Sequence, residues 1–405
     1  MNHSALTDRI TPTSSDERNF ALDALRGVAL FGVLMVNLLI SFRVSLFESI
    51  FTFHTHAGWA NHAVDILLAW LLEFKAVTLF SFLFGVGVGV QAERAALGKI
   101  NASSFFLRRF VILLAIGLCH MFLIWNGDIL ALYAVCGMLL IPFAAISSRR
   151  LVAAGIVLIV VSPFLPFFND LIPSEAEMRA HAVIATRVYA TGSFTEIMAM
   201  RFGEAWRFIA PLLLSFLPRT FGLMLFGIGA WRSGVLQHPA KRRKLLLIIL
   251  VVTGSLGALT TTLEVWSEHT GRPPGAFDFF EPYSTVLLAF AYGAGLFLYF
   301  NSPEDGHARR LTRLFAGVGR MTLSNYLAQS IIFSAFFYGL GLGLFGKLGS
   351  AVAALLGLAV YAAQLITSDW WLARYRYGPA EWLWRSLTYG RWQPMTRGQM
   401  RDGNQ

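Results

Sequence analysis

The sequence predicts an all-α protein that crosses a membrane as a polytopic helical bundle of about ten transmembrane helices. Apolar residues make up 56% of the 405 residues, charged residues only 14%, and the mean hydropathy is +0.59. The apolar residues form about ten stretches of about 20 residues, enough for a helix to cross a hydrocarbon core roughly 30 Å thick. This composition excludes disordered, collagen-like and ordinary water-soluble proteins.

The predicted spans follow one another from residue 21 onwards. They lie at 21–42, 76–92, 105–125, 129–147, 151–168, 208–230, 245–263, 283–300, 316–337 and 349–367. The first stretch is too long for a cleaved signal peptide, so it is interpreted as a retained span. The predicted organisation is a cytoplasmic N-terminal tail at 1–20, a transmembrane bundle at 21–367, and a cytoplasmic tail at 368–405.

Two further helices and an exterior cap are expected outside the spans. The polar interruption Glu73-Phe74-Lys75 predicts that 63–73 is a separate amphipathic helix on the outer surface. The loop at 169–207 is expected to form a small helical cap. The tail interleaves five tryptophans with arginines, a pattern typical of an interfacial helix at the headgroup zone; a nucleotide-contacting segment is the alternative.

The distribution of Lys and Arg predicts the orientation in the membrane. One set of connections, together with both termini, holds twenty-three Lys and Arg; the opposite set holds seven. Because cytoplasmic loops are enriched in these residues, both termini are predicted to be cytoplasmic. The net charge of +10 is therefore attributed to topology rather than to nucleic-acid binding.

Polar side chains inside apolar stretches are the first candidates for a functional site, because they are costly in hydrocarbon. Asp23 and Arg26 lie on one helical face, where they can pair and bind substrate, or merely anchor the first span. Asn37 follows three turns later on nearly the same stripe, and hydrogen bonding to a neighbouring helix is its alternative role. Arg219 follows a proline and suggests either an anionic ligand or snorkelling. Asn325 and Gln329 place hydrogen-bonding groups on adjacent turns of the ninth span, where a cavity lining is expected.

Histidines supply the candidate bases. His120 lies near the outer end of the third span, and Asp128 follows in a turn; together they can form a general-base pair, with a structural interhelical histidine as the alternative. His56 belongs to an exterior segment with two further histidines. A full ligand set at metal-binding spacing is not obvious there, and both cysteines lie in apolar runs, so neither a metal nor a disulfide is expected.

Several motifs resemble, in order, those of the YeiB-like bacterial membrane proteins, a family largely of unknown function. They are Leu22-Asp23-Ala24-Leu25-Arg26-Gly27, Phe80-Ser81-Phe82-Leu83-Phe84-Gly85, Gly117-Leu118-Cys119-His120, Gly127-Asp128-Ile129-Leu130 and Gly378-Pro379-Ala380-Glu381-Trp382. The resemblance implies a multi-pass protein of the bacterial cytoplasmic membrane, and by analogy it is compatible with a homodimer.

The opening motif is also similar to that of two groups of transmembrane acyltransferases: enzymes that O-acetylate surface polysaccharides, and heparan-alpha-glucosaminide N-acetyltransferase. The first group has a histidine where this chain has Asn37. The second has an asparagine there, and a reactive histidine in a His-Ala-x-Trp stretch that His56-Ala57-Gly58-Trp59 matches.

This resemblance implies transfer of an acyl group, in the first place acetyl, from cytoplasmic acyl-coenzyme A to an exterior hydroxyl or amine of a saccharide or lipid. Arginines would meet the donor's phosphates, His56 or His120 would act as base with Asp128, and Asn37 would stabilise the oxyanion. The arginines are Arg94, Arg108, Arg109, Arg320 and Arg385. The alternative is a transporter or lipid-binding protein that uses the same polar cavity without covalent chemistry.

Overall fold

The computed structural model describes residues 19–51, 58–97, 101–165, 173–269, 280–302 and 305–396, and these residues are helical without a β-sheet. The helices are α1 Phe20–Asn37, α2 Leu46–Phe51, α3 Trp59–Leu71, α4 Lys75–Leu97, α5 Ala102–Cys119, α6 Leu130–Leu140, α7 Ser148–Val161, α8 Glu175–Thr191, α9 Phe194–Glu204, α10 Ala210–Arg232, α11 Arg243–His269, α12 Glu281–Phe300, α13 Gly306–Arg320, α14 Thr322–Phe337, α15 Ser350–Arg374 and α16 Pro379–Tyr389. The predicted all-α class is confirmed.

Seven helical stretches among the described residues are long and apolar enough to cross a membrane. They are Phe20–Phe42, Trp59–Leu97, Ala102–Ile124, Phe194–Arg232, Arg243–Ser267, Glu281–Phe300 and Ser350–Arg374. The protein is therefore a polytopic membrane bundle. The other predicted spans correspond to the shorter helices α6, α7 and α14, so the number of ten crossings stays a prediction.

Glycines allow the central helices to approach closely. A Cβ on Gly27 of α1 would collide with the backbone of Phe315, and one on Gly319 with the backbone of Asp23. The same holds between α4 and α10 at Gly85 and Gly227. Small residues thus let the helix backbones come into contact. Such close packing matters in a membrane, because lipid is as apolar as the helix surfaces and no hydrophobic driving force brings the helices together.

The structure confirms the predicted break in one long apolar stretch and helices in the predicted cap, and it corrects the start of one predicted span. The chain turns at 72–74 between α3 and α4, with Phe74 in the left-handed region at φ 54°, as the split of that long stretch predicts. The cap at 169–207 contains α8 and α9, each started by a capping box. The predicted ninth span at 316–337 is wrong at its start: residues up to Arg320 belong to α13, and α14 begins at Thr322.

The C-terminal region continues the bundle. The boundary expected at 368 falls inside α15, which runs to Arg374. The separate α16 packs against α5: the Trp384 Nε1 donates to the Arg109 carbonyl at 2.9 Å, and the Arg109 guanidinium lies 3.7 Å from the centre of the Trp384 ring. α16 therefore forms one wall of the interior described next.

Candidate functional site: a cavity between an arginine cluster and a buried histidine

A cavity of about 230 Å³ lies between α1, α4, α5, α6, α13, α14 and α16. Four arginines line it: Arg26, Arg109, Arg320 and Arg385. They come from separate parts of the sequence, and we call the end of the bundle where they gather the arginine end. Such a cluster in largely apolar surroundings is typical of sites that bind an anionic ligand.

Local contacts fix these guanidinium groups. Arg26 Nη1 donates to Asp23 Oδ1 at 2.9 Å, which is the pairing that their spacing predicts. Arg109 lies over the Trp384 ring, and Arg385 lies 4.8 Å from the centre of the Tyr377 ring. Aromatic faces hold a guanidinium without neutralising it, so the charge stays available to a ligand.

Glu381 is the acidic residue in the cavity lining, and it caps α14. Its carboxylate accepts hydrogen bonds from the backbone N–H of Leu323 at 2.6 Å, from that of Ser324 at 3.1 Å, and from the Ser324 hydroxyl at 2.5 Å. Burial raises the pKa of Glu381, and the hydrogen bond from the Ser324 side chain opposes this shift. The hydrogen bonds that the Glu381 carboxylate accepts are therefore used at the N terminus of α14.

The remaining wall is apolar and aromatic, with two tyrosines. Tyr133 Oη lies 2.8 Å from the hydroxyl of Ser81, and Tyr326 lines the cavity from α14. Three phenylalanines of α4 and α5 (Phe80, Phe84 and Phe110) line the rest of the wall together with leucines and valines. A ligand that fits this shape has an anionic head and an extended, mainly apolar arm.

Beyond Tyr326 lies the histidine pair. His120 Nδ1 is 2.8 Å from Asp128 Oδ2, and their side chains are 1% and 0% exposed. The Asp128 Oδ1 also accepts from the backbone N–H of Ala131 at 2.7 Å, so the carboxylate is oriented by the start of α6. Burial raises the pKa of Asp128, and the hydrogen bond from His120 opposes this shift. The sequence spacing of eight residues left open whether these two side chains touch.

Buried polar atoms without hydrogen-bond partners surround this pair. Among the described residues, His120 Nε2, Trp125 Nε1 and Tyr326 Oη are buried and unpartnered. The His120 ring centre lies 5.1 Å from that of Tyr326 and 6.1 Å from that of Trp125. Since buried polar groups are nearly always satisfied, this group of atoms indicates a place for water or for a polar ligand atom. Tyr326 connects it to the cavity.

Asn37 occupies the corresponding level of α1. The cavity-lining residues Arg26, Leu30 and Val33 define a stripe of α1 that reaches Asn37 one turn later, although Asn37 itself is half-buried and is not part of the lining. Arg26 precedes Asn37 by eleven residues, as Arg109 precedes His120 on α5. Both separations amount to about 16 Å of helix rise.

Both helices change to π-helical hydrogen bonding at this level. α1 passes into a π-helical turn at Leu38–Phe42, and α5 into one at His120–Ile124. The two turns meet where the Phe42 ring stacks on the Trp125 ring at 4.3 Å. π-helical turns are rare and concentrate at functional sites, which agrees with the positions of Asn37 and His120. The sequence carries no signal for them.

Other predicted site residues lie elsewhere. Arg219 donates to the hydroxyls of Thr78, at 3.1 Å, and Thr285. Asn325 donates to Ser368 at 3.0 Å, and Gln329 to Gln364 at 2.8 Å, so these amides join α14 to α15. None of these three residues is in the cavity lining among the described residues. His56 lies outside the described residues.

The fold and this cavity define a polytopic α-helical membrane protein with an interior cavity lined by four arginines. A family described as a protein of unknown function (DUF418) matches residues 230–391. The chain is 33% identical to the uncharacterized protein YxaH of Bacillus subtilis (strain 168), over 96% of this chain and 98% of the relative.

Two further relatives are similar over most of their length. An uncharacterized 39.9 kDa protein of Bacillus acidopullulyticus is 30% identical over 95% of this chain and 97% of its own. The uncharacterized protein YeiB of Escherichia coli (strain K12) is 28% identical over 92% and 96%. No solved structure matches the chain. The chain belongs to the YeiB-like family, as the ordered motifs indicate.

Proposed function

We propose that this protein is a transmembrane acyltransferase that uses acyl-coenzyme A, in the first place acetyl-coenzyme A, as donor. The observation that carries the proposal is the cavity itself. It begins at four arginines and ends at Tyr326, whose ring contacts a histidine paired with a buried carboxylate. The proposal thus combines anion recognition by the cavity arginines with a base, His120, that lies behind Tyr326 and outside the cavity lining of the described residues.

The donor's phosphates are expected to bind at the arginine end. Arg109, Arg320 and Arg385 supply charge-assisted donors, and Arg26 completes the ring from α1. The pantetheine arm of the donor would then follow the largely apolar wall towards Tyr326. Coenzyme A thioesters combine phosphate groups with this arm, whose methyl and methylene groups suit such a wall and whose two amides need hydrogen-bond partners there.

The reaction needs a base, and we propose His120 for this role. With Asp128 holding Nδ1–H, the free Nε2 can take the proton of an acceptor hydroxyl or amine as its oxygen or nitrogen attacks the thioester carbonyl. The carbon–sulfur bond breaks, the new ester or amide bond forms, and the proton passes from His120 to the departing thiolate. Asn37 is proposed to donate a hydrogen bond to the carbonyl oxygen as charge develops.

The arginine end is proposed to face the cytoplasm of a bacterial inner membrane. The excess of Lys and Arg in the connections on that side supports this orientation, and acyl-coenzyme A is a cytoplasmic metabolite. The cap helices α8 and α9 then lie outside, where a saccharide or lipid acceptor is available. Both termini are cytoplasmic in this arrangement.

The test uses purified protein in detergent and inverted membrane vesicles. Acetyl-coenzyme A should raise the thermal unfolding midpoint of the purified protein, because a ligand that binds only the folded state stabilises it. Vesicles with the wild-type protein should transfer label from radiolabelled acetyl-coenzyme A to envelope glycans or lipids. His120→Gln should retain the thermal shift and lose the transfer, whereas the exposed control His238→Gln should retain both.

A second candidate, an amphiphile-binding or transport protein, is favoured by the depth at which His120 and Asp128 are buried. It predicts that vesicles of anionic phospholipid protect the protein thermally while acetyl-coenzyme A does not. That result, or label transfer that is undiminished in His120→Gln, would contradict the acyltransferase assignment.

A further inference from the structure

Another buried carboxylate lies outside the cavity, at the end of α9 in the cap. Glu204 is 1% exposed. Its carboxylate accepts a hydrogen bond from the Tyr189 hydroxyl at 2.5 Å, lies 2.7 Å from His181 Nε2, and accepts another from the Asn126 side-chain amide. The proposed reaction gives no role to this group, although a buried carboxylate with three partners is a costly feature to maintain.

Asn126 places this cluster next to the histidine pair. Asn126, Gly127 and Asp128 are consecutive, and Asp128 is the residue that orients His120. A Cβ on Gly127 would collide with the Trp125 ring, so the turn is packed closely against that ring. Holding the Asn126 amide therefore restrains the backbone from which the Asp128 side chain projects.

A second contact from the same face of α9 reaches the other side of this segment. The Arg201 Nη1 donates to the Leu123 carbonyl at 2.9 Å, within the π-helical turn that begins at His120. Arg201 and Glu204 are three residues apart, so they lie on one face of α9. Around them, Met121 and Ala131 pack with Phe208 in one apolar cluster. α9 thus contacts the 120–128 segment at Leu123 and again at Asn126.

We propose that Glu204 is a positioning residue: acting through Asn126, it holds Asp128, and thereby His120, in the orientation that the reaction needs. Its catalytic consequence rests on the proposed function. The geometric part does not, because it concerns only the hydrogen bond between His120 and Asp128. Glu204 contacts neither the cavity nor either member of the pair directly in the described residues.

The first test reads that hydrogen bond without any activity assay. In protein labelled with ¹⁵N-histidine, the His120 Nδ1–H bound to a buried carboxylate should give a downfield imidazole resonance, assigned by its loss in His120→Gln. We expect Glu204→Gln to keep the resonance, since an amide oxygen still accepts from Asn126. Glu204→Ala and Asn126→Ala should both lose it. The resonance unchanged in both alanine variants would overturn the proposal.

The second test measures label transfer by the same variants. Glu204→Ala and Asn126→Ala should lower kcat by about tenfold or more while the donor KM stays within about twofold, because the donor binds at the other end of the bundle. The matched control is Glu196→Ala, which breaks the capping box of the same helix without touching the 126–128 turn. Equal losses of kcat in Glu196→Ala would show that α9 stability, and not the contact to Asn126, is responsible, and would refute the positioning role.

Discussion

At the scale of single residues, the cavity arginines show which contacts can hold several guanidinium groups near one another inside a membrane bundle. Arg26 has a carboxylate partner in Asp23, whereas Arg109 and Arg385 lie over aromatic rings. A ring face offers about 0.5–2 kcal/mol to a cation, less than a paired and hydrogen-bonded anion. An arriving anion therefore has much to gain here, and each arginine should contribute measurably to donor affinity.

The first prediction concerns Arg385. Arg385→Gln removes a charge-assisted contact worth about 1.5–3 kcal/mol, so the Kd for acetyl-coenzyme A should rise by about tenfold to a hundredfold. Isothermal titration of purified protein measures this. Arg391→Gln is the control, because Arg391 is exposed and outside the cavity lining. Equal Kd values for both variants would mean that the arginine end does not bind the donor.

At the scale of helices, backbone contact between α1 and α13 fixes the start of the stripe that carries Arg26 and Asn37. Gly27 and Gly319 face the opposite backbones directly. Because neither backbone can yield as a flexible side chain would, even one methyl group must push the helices apart.

The second prediction therefore concerns Gly27→Ala. It should destabilise the protein by about 1–3 kcal/mol, because the added Cβ collides with the Phe315 backbone. Gly254→Ala, in α11, is the matched control: its Cβ would only meet Ala291 at an ordinary 3.5 Å, and alanine favours a helix over glycine. Thermal unfolding in detergent should show a lower midpoint for Gly27→Ala alone. A midpoint as high as that of the control would contradict the close contact.

At the scale of the whole molecule, the basic connections and the cap lie at opposite ends of the bundle. Arg109 lies in α5 at the arginine end, and eleven residues later the π-helical turn that follows α5 begins at His120, beside the cap. Charge asymmetry of this kind sets the orientation of multispanning proteins.

The third prediction follows from this orientation. In a background with Cys119→Ser and Cys136→Ser, Arg179→Cys in the cap should react with a membrane-impermeant maleimide on intact cells. Arg391→Cys, beyond α16, should react only after permeabilisation. Both positions are exposed, so accessibility to the reagent depends on the side of the membrane. The reverse labelling pattern would place the arginine end outside the cell, which would exclude cytoplasmic acyl-coenzyme A as its ligand.

Much of this arrangement is readable from the sequence, because apolar length and helix periodicity are local properties. The Asp23–Arg26 pair and the break near Phe74 follow from spacing alone. The gathering of Arg26, Arg109 and Arg385 does not, since it depends on how distant helices pack. Nor could spacing decide that His120 meets Asp128 across a helix end, or that Asn325 and Gln329 would be used between helices. The contact of Glu204 with Asn126 joins segments 78 residues apart and had no local signal.

The hydrogen bonds from the start of α14 to Glu381 link α16, at the arginine end of the cavity, to the helix that carries Tyr326. A ligand that displaces α16 would also remove the Glu381 carboxylate from the N terminus of α14, and Tyr326 lies in the second turn of that helix. A displacement of α16 at the arginine end is thus expected to shift Tyr326 at the other end of the cavity.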